Sequence, residues 1–192
     1  MKRVSVVSIF LLCFGLAKAQ LPDIYTDLHI LPSKYQQYKN YSEYELDSFY
    51  FYIGKGKESL YLYMINKMSG AQVFNIDERE LGARRHEPRF FGKEGDQSTM
   101  IITVSLVGDY SWGSHILIIE GNKVYNAGFI QYSADNFNFS SIGLYAQFEK
   151  VGDNFIMFFQ EDVQLINYAT EEMISGADLE FLVSKTKVIR TK

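Results

Sequence analysis

The chain has 192 residues, a formal charge of −4 from 19 Lys and Arg against 23 Asp and Glu, and one cysteine. An acidic balance of this kind argues against nucleic acid and anionic membrane surfaces as partners, since both need a clustered positive field. A single cysteine, Cys13, excludes a disulfide framework, so an apolar core has to hold the fold together.

Residues 1–19 read as a cleavable secretory leader. Met1-Lys2-Arg3 precedes an apolar run from Val4 to Leu16, and Ala17-Lys18-Ala19 supplies the small-x-small site before Gln20. The run of about thirteen residues is shorter than the roughly twenty a membrane-spanning helix requires. Cys13 lies inside the run behind Leu11-Leu12, which favours cleavage over lipid attachment. Loss of Lys2, Arg3 and Lys18 with the leader moves the formal charge from −4 to −7. The expected product is a single β-rich domain over 20–192, exported to a periplasm or cell exterior, with no integral membrane span.

In chain order, the first mature segment to carry a signal is Ser33-Lys34-Tyr35-Gln36, a capping-box pattern. With Tyr35, Tyr38 and Tyr41 at helical spacing, it predicts a short helix to about Glu45. Leu46–Ile53 and Glu58–Ile65 then alternate with period two around Gly54-Lys55-Gly56-Lys57 and predict a hairpin. A turn centred on Lys55-Gly56 sets Phe51 opposite Leu60 on a core face, and Tyr50 opposite Tyr61 with Tyr63 beside it on a tyrosine face. That face suits either a covering layer or a ligand wall.

A strand over Ala71–Ile76 is followed by the densest polar stretch, Asp77 to Asp96, expected as a long loop. Thr99–Val107 reads as a strand with Met100, Ile102, Val104 and Leu106 on a dry face and Thr103 and Ser105 on a wet one. Ser114–Glu120 and Lys123–Gln131 flank Gly121-Asn122, suited to a type II′ turn. This register matches Glu120 with Lys123 and Ile119 with Val124. Ser141–Lys150 and Asn154–Gln160 turn at Gly152-Asp153, and Asp178–Ile189 forms the last strand. Val163–Ser175 has Leu165, Ala169 and Met173 at helical spacing, with Gly176 as a stop, although Asn167-Tyr168 also suits a turn. About nine strands in sequential hairpins predict an all-β, mainly antiparallel, single-domain sandwich or barrel with one or two short helices.

Motifs of known chemistry are missing from the sequence. It has no phosphate loop, no His-Glu-x-x-His and no Gly-x-Ser-x-Gly, and the mature chain has no thiol. His29, His86 and His115 are scattered, and His115 shares a face with Leu117 and Ile119 as a core histidine does. No metal or cofactor is expected. The candidate binding residues are Arg84, Arg85 and Arg89, whose guanidiniums suit acidic groups; Tyr110 and Trp112, in the aromatic connection Asp109–Gly113; and Tyr50, Tyr61 and Tyr63. At about 3.3 Å per residue, the strand between the charged and aromatic stretches puts them about 30 Å apart, unless the charged stretch folds back along it. Elimination leaves an exported, non-catalytic binding protein. Its partner is an extracytoplasmic protein or a small ligand, in the manner of an inhibitor or immunity factor. The alternatives are a glycan- or peptidoglycan-acting hydrolase using Glu87, Asp109 or Glu120, and a barrel carrying a small hydrophobic ligand.

Overall fold

The structure, a computed structural model, describes residues 22–36, 41–55, 60–78, 85–108, 111–134, 141–167 and 169–192. The expected leader, residues 1–19, lies outside these residues. The described chain is all-β and mainly antiparallel. Its strands are β1 (Asp23–Asp27), β2 (Lys34–Gln36), β3 (Tyr41–Glu45), β4 (Phe49–Lys55), β5 (Leu60–Asn66), β6 (Gln72–Glu78), β7 (Arg85–Lys93), β8 (Asp96–Val107) and β9 (Ser111–Glu120). There follow β10 (Lys123–Ile130), β11 (Ser133–Ala134), β12 (Ala146–Val151), β13 (Asn154–Phe159), β14 (Gln164–Asn167), β15 (Glu172–Ser175), β16 (Glu180–Val183) and β17 (Val188–Arg190).

Nine strands form one sheet in the order β10-β9-β8-β7-β1-β12-β13-β16-β17. The sheet curls until its edge strands approach one another, and a Cβ on Gly128 of β10 would stand 3.7 Å from the Val188 nitrogen of β17. Inside this nearly closed barrel Tyr25, Phe91, Ile116, Ile118, Phe148, Phe155 and Met157 form a packed core. Across the seam, Lys185 reaches Glu120 at 2.6 Å, so side chains join the two edges where no ladder does. Strands β11, β14 and β15 make a small separate sheet. The five-stranded sheet β2-β3-β4-β5-β6 packs on the outside of β7, β8 and β9 through a second core that includes Phe49, Phe51, Leu62, Met64, Phe90, Ile102 and Leu117.

The second predicted hairpin has the expected register, with Lys123 opposite Glu120 and Val124 opposite Ile119. Gly121 takes φ +54°, which a side chain would resist. The third turns at Gly152-Asp153, with Val151 opposite Asn154. The first hairpin is displaced. Tyr50 stands opposite Ile65, Phe51 opposite Met64 and Tyr52 opposite Tyr63, four residues from the expected pairing of Tyr50 with Tyr61. Lys55 pairs with Leu60, where a tight turn centred on Lys55-Gly56 would have left Lys55 unpaired in the turn. An even displacement keeps every side chain on its expected face.

Four further expectations are corrected. The helix over 33–45 is two strands: the Ser33 hydroxyl donates to the Glu43 carbonyl at 3.0 Å instead of capping a helix, and Tyr44 turns inward between outward Glu43 and Glu45. The helix over 163–175 is the β14–β15 hairpin. There Leu165 and Asn167 are buried with period two, and the Asn167 side chain accepts the Ala169 amide at 3.0 Å, an Asx turn. The only helical turns described are short 3₁₀ segments at Ile142–Leu144 and Gly176–Asp178. The loop over 77–96 is mostly strand, because Phe90 and Phe91 go into the two cores and carry β7 with them. Thr103 and Ser105 are not on a wet face: both are fully buried inside the barrel end, where the Ser105 hydroxyl lies 2.6 Å from those of Ser114 and Ser141.

The C-terminal strand is clamped by Arg190, whose guanidinium donates to the Tyr132 hydroxyl at 2.8 Å and to Glu172 at 2.9 Å, while the Tyr132 hydroxyl donates to the same carboxylate. The Tyr132 hydrogen bond, followed by that of Arg190, holds the Glu172 carboxyl below its ordinary value of 4.5. A depressed acid stabilises the fold above its unfolded pKa and loses that contribution as pH falls through the folded value. Acid unfolding followed by circular dichroism should therefore show a stability loss below about pH 4.5 that is smaller in Glu172→Gln.

Candidate functional site

The outer face of the five-stranded sheet carries a cluster of tyrosines. Period-two alternation on β4 sends Phe49, Phe51 and Ile53 into the core and Tyr50 and Tyr52 outward. On β5, Leu62 and Met64 go inward while Tyr61 and Tyr63 go outward, and Tyr41 joins them from β3. Tyr52 and Tyr63 stack with ring centroids 4.7 Å apart and planes at 15°. Tyr41 and Tyr50 each lie 6.3 Å from Tyr52, and Tyr61 lies 5.9 Å from Tyr63. All five rings are half-buried, and their shared contacts account for part of that shielding.

Carboxylates and ammoniums are interleaved with the rings. Glu43 stands opposite Tyr52 and Glu45 opposite Tyr50. The Tyr41 hydroxyl donates to Glu43 at 3.1 Å. Lys67 pairs with Glu45 at 2.9 Å and sits 5.1 Å from the centre of the Tyr50 ring, while Lys34 sits 6.0 Å from that of Tyr41. Burial raises the hydroxyl pKa of Tyr41, Tyr52 and Tyr63 above the ordinary value, and the nearby Glu43 charge adds to the rise in each. These phenols stay protonated and available as hydrogen-bond donors, which suits recognition more than proton abstraction. The space behind them is occupied by Phe49, Phe51, Leu62 and Met64, so the rings stand on a rigid base.

Arg84 and Tyr110 lie outside the described residues, as do the side chains of Arg85 and Trp112. The backbone of Arg85 pairs with Val107, and Val107 with Ser111, so the charged stretch does fold back along β8 and starts beside the aromatic one. Arg89 is described, and its guanidinium is held by Asp27 at 3.2 Å. It borders a cleft of about 410 Å³ between the two large sheets, which Tyr44, His86, Glu87 and Pro88 also line. Of the acids weighed for hydrolysis, Asp109 lies outside the described residues and Glu120 pairs with Lys185. Glu87 stands opposite Ser105 and Glu120 opposite Thr99, about 20 Å apart along β8 at 3.3 Å per residue. His115 is half-buried with its ring 4.8 Å from Phe129, and His86 is buried opposite Leu106. Among the described residues no group of three metal-ligating side chains gathers.

Tyr41, Tyr52 and Glu43 belong to the face and escaped the sequence reading. Tyr52 was within reach, since it follows Tyr50 at the strand period; Tyr41 and Glu43 were hidden by the expected helix. Comparison with protein-family models, with curated proteins and with solved structures returns no match to this chain.

Gly54 completes the face. It is buried opposite Tyr61, whose ring lies where a Cβ would project. An aromatic ring laid over a cross-strand glycine is a known device for pinning register. Gly54→Ala should turn the Tyr61 ring away and alter the near-ultraviolet circular dichroism, with stability changed by less than about 1.5 kcal/mol because the displaced atoms end a flexible side chain.

Proposed function

We propose that this protein is an exported, non-catalytic binding protein that holds an extracytoplasmic protein partner on its tyrosine face, as an inhibitor or immunity factor would. The observation that carries the reading is the row of five tyrosines, ring against ring, on a sheet backed by a dense core. Tyrosine offers a large amphipathic contact with few rotatable bonds, which is why it is enriched in protein-binding surfaces. Rings already fixed by their neighbours lose little further freedom when a partner arrives. Tyr52 and Tyr63 cover one another's inner faces, so their edges and hydroxyls are what a partner meets, a geometry better suited to a polar protein surface than to a sugar ring laid flat.

Two measurements test the reading. Immobilised mature protein should retain the same partner from an extracytoplasmic fraction in replicate captures. Tyr52→Ala with Tyr63→Ala should weaken that capture by more than about 1 kcal/mol while the far-ultraviolet spectrum is unchanged. Undiminished capture by the double variant would remove the tyrosine face from consideration. Export is tested separately by N-terminal sequencing of the protein recovered outside the cytoplasm: it should begin at Gln20, and an intact Met1 there would refute the leader.

A further inference from the structure

One side-chain grouping recurs in this molecule: a tyrosine ring, a glutamate and a cation that touches both. Lys67 lies on Glu45 at 2.9 Å and 5.1 Å from the centre of the Tyr50 ring. Arg190 lies on Glu172 at 2.9 Å and 5.8 Å from the Tyr132 ring centre. Lys185 lies on Glu120 at 2.6 Å and 5.3 Å from the Tyr125 ring centre. In each case the carboxylate supplies charge and the ring supplies its negative face, the two elements that together select an ammonium or guanidinium.

The tyrosine face contains the same grouping once more, except that no cation among the described residues touches both the carboxylate and a ring. Glu43 accepts the Tyr41 hydroxyl at 3.1 Å, as Glu172 accepts that of Tyr132. Tyr52 stands directly opposite it, and Tyr63 stacks beyond Tyr52. Lys34, its cross-strand neighbour, carries its ammonium over the Tyr41 ring instead. Among the described residues no cation lies within ion-pair distance of the Glu43 carboxylate. The chain around it is acidic, with a formal charge of −4 that becomes −7 without the leader, so long-range attraction favours a basic partner surface.

We propose that Glu43, walled by Tyr41, Tyr52 and Tyr63, receives a guanidinium or ammonium side chain from the partner, which therefore presents a basic surface to this face. The inference rests on the reading of the tyrosine face as the binding surface and adds the chemistry of what binds. Arginine fits better than lysine, because its planar fork stacks on a ring while donating to a carboxylate.

The test uses the mature chain, with the ring resonances of Tyr41, Tyr52 and Tyr63 followed by NMR. The probe is a short peptide alternating arginine and glycine, and the control is the same peptide with citrulline, which keeps shape and hydrogen bonding but not charge. The arginine peptide should shift these resonances saturably and the citrulline peptide should not. Glu43→Gln should weaken the response by at least about threefold, the effect of one charge-assisted contact at a partly exposed site. Lys34→Met, which removes the nearest competing ammonium, should leave the affinity equal or tighter. An equal response to both peptides, an unaltered response in Glu43→Gln, or no saturable response in either wild type or Lys34→Met would overturn the proposal. Capture of the natural partner separates it from the reading beneath it. Loss with Tyr52→Ala and Tyr63→Ala but not with Glu43→Gln refutes the cation site alone, whereas capture unaffected by the tyrosine variants refutes the binding face.

Discussion

The architecture depends on the ribbon of β8 and β9, with Phe90 and Phe91 of β7 beside it, being buried on both faces. One side of this ribbon supplies Phe91, Ile101, Ile116 and Ile118 to the barrel interior, and the other supplies Phe90, Ile102, Val104 and Leu117 to the core beneath the outer sheet. A sheet buried on both sides cannot alternate apolar with polar residues, and its strands read instead as nearly continuous apolar runs such as Met100 to Val107. Of the polar residues that fall in these runs, Ser105 pairs its hydroxyl internally with those of Ser114 and Ser141, whereas the Thr103 hydroxyl is buried with no hydrogen-bond partner among the described residues. Both the barrel and the overlying sheet are consequences of covering the two faces of this ribbon.

The outer sheet has the opposite condition. Its inner face is fixed by the core it completes, and its outer face is left to water, so residues there are not chosen by packing against another layer. Filling that face with tyrosine is not what solubility alone would select, since Lys, Glu and Thr are adequate on a wet strand. Tyrosines at 41, 50, 52, 61 and 63 cover each other as well as the sheet, and so form a firm surface that needs no further layer. The three occupied groupings of tyrosine, glutamate and cation show how the chain uses phenol rings elsewhere: in one the cation fastens a terminal strand, in another it spans the barrel seam. Against that pattern, the grouping at Glu43 differs in that Lys34 lies over the Tyr41 ring and no described cation is in ion-pair contact with the carboxylate.

What the sequence disclosed follows from the range of the forces involved. The β9–β10 hairpin was legible because everything that sets it is local: glycine at the position needing positive φ, opposite charges at the mouth and apolar pairs beyond. The all-β class and the tyrosine face were legible from period two alone. The β4–β5 register was not, because it is set by contacts of β4 and β5 with β3, β6 and the core rather than by the glycines at the turn. Both expected helices failed for a related reason. Segments 33–45 and 163–175 have weak local preferences, and strand pairing satisfies their backbones better than a helix would: β2 pairs with β3 and β3 with the next strand β4 in the first, while β14 pairs with β15 and with the more distant β11 in the second. The polar stretch at 77–96 looked like a loop because charges outnumber apolar residues there, yet two adjacent phenylalanines, each directed into a different core, were enough to make it a central strand.

A face is a more robust inference than a contact. The first hairpin lies four residues out of its expected register, so none of the predicted cross-strand pairs between β4 and β5 forms, and still Tyr50, Tyr61 and Tyr63 share a surface, because side-chain direction depends on parity and not on register. Tyr52 joins them by the same parity, and its partner becomes Tyr63, which turns a row of neighbours into a stacked pair. The position of Glu43 follows from this too. It is opposite Tyr52 only because β3 is a strand, and it accepts the Tyr41 hydroxyl only because the two residues, two apart on that strand, project to the same side. On a helix, positions 41 and 43 would point about 200° apart and the pocket of phenol and carboxylate would not exist.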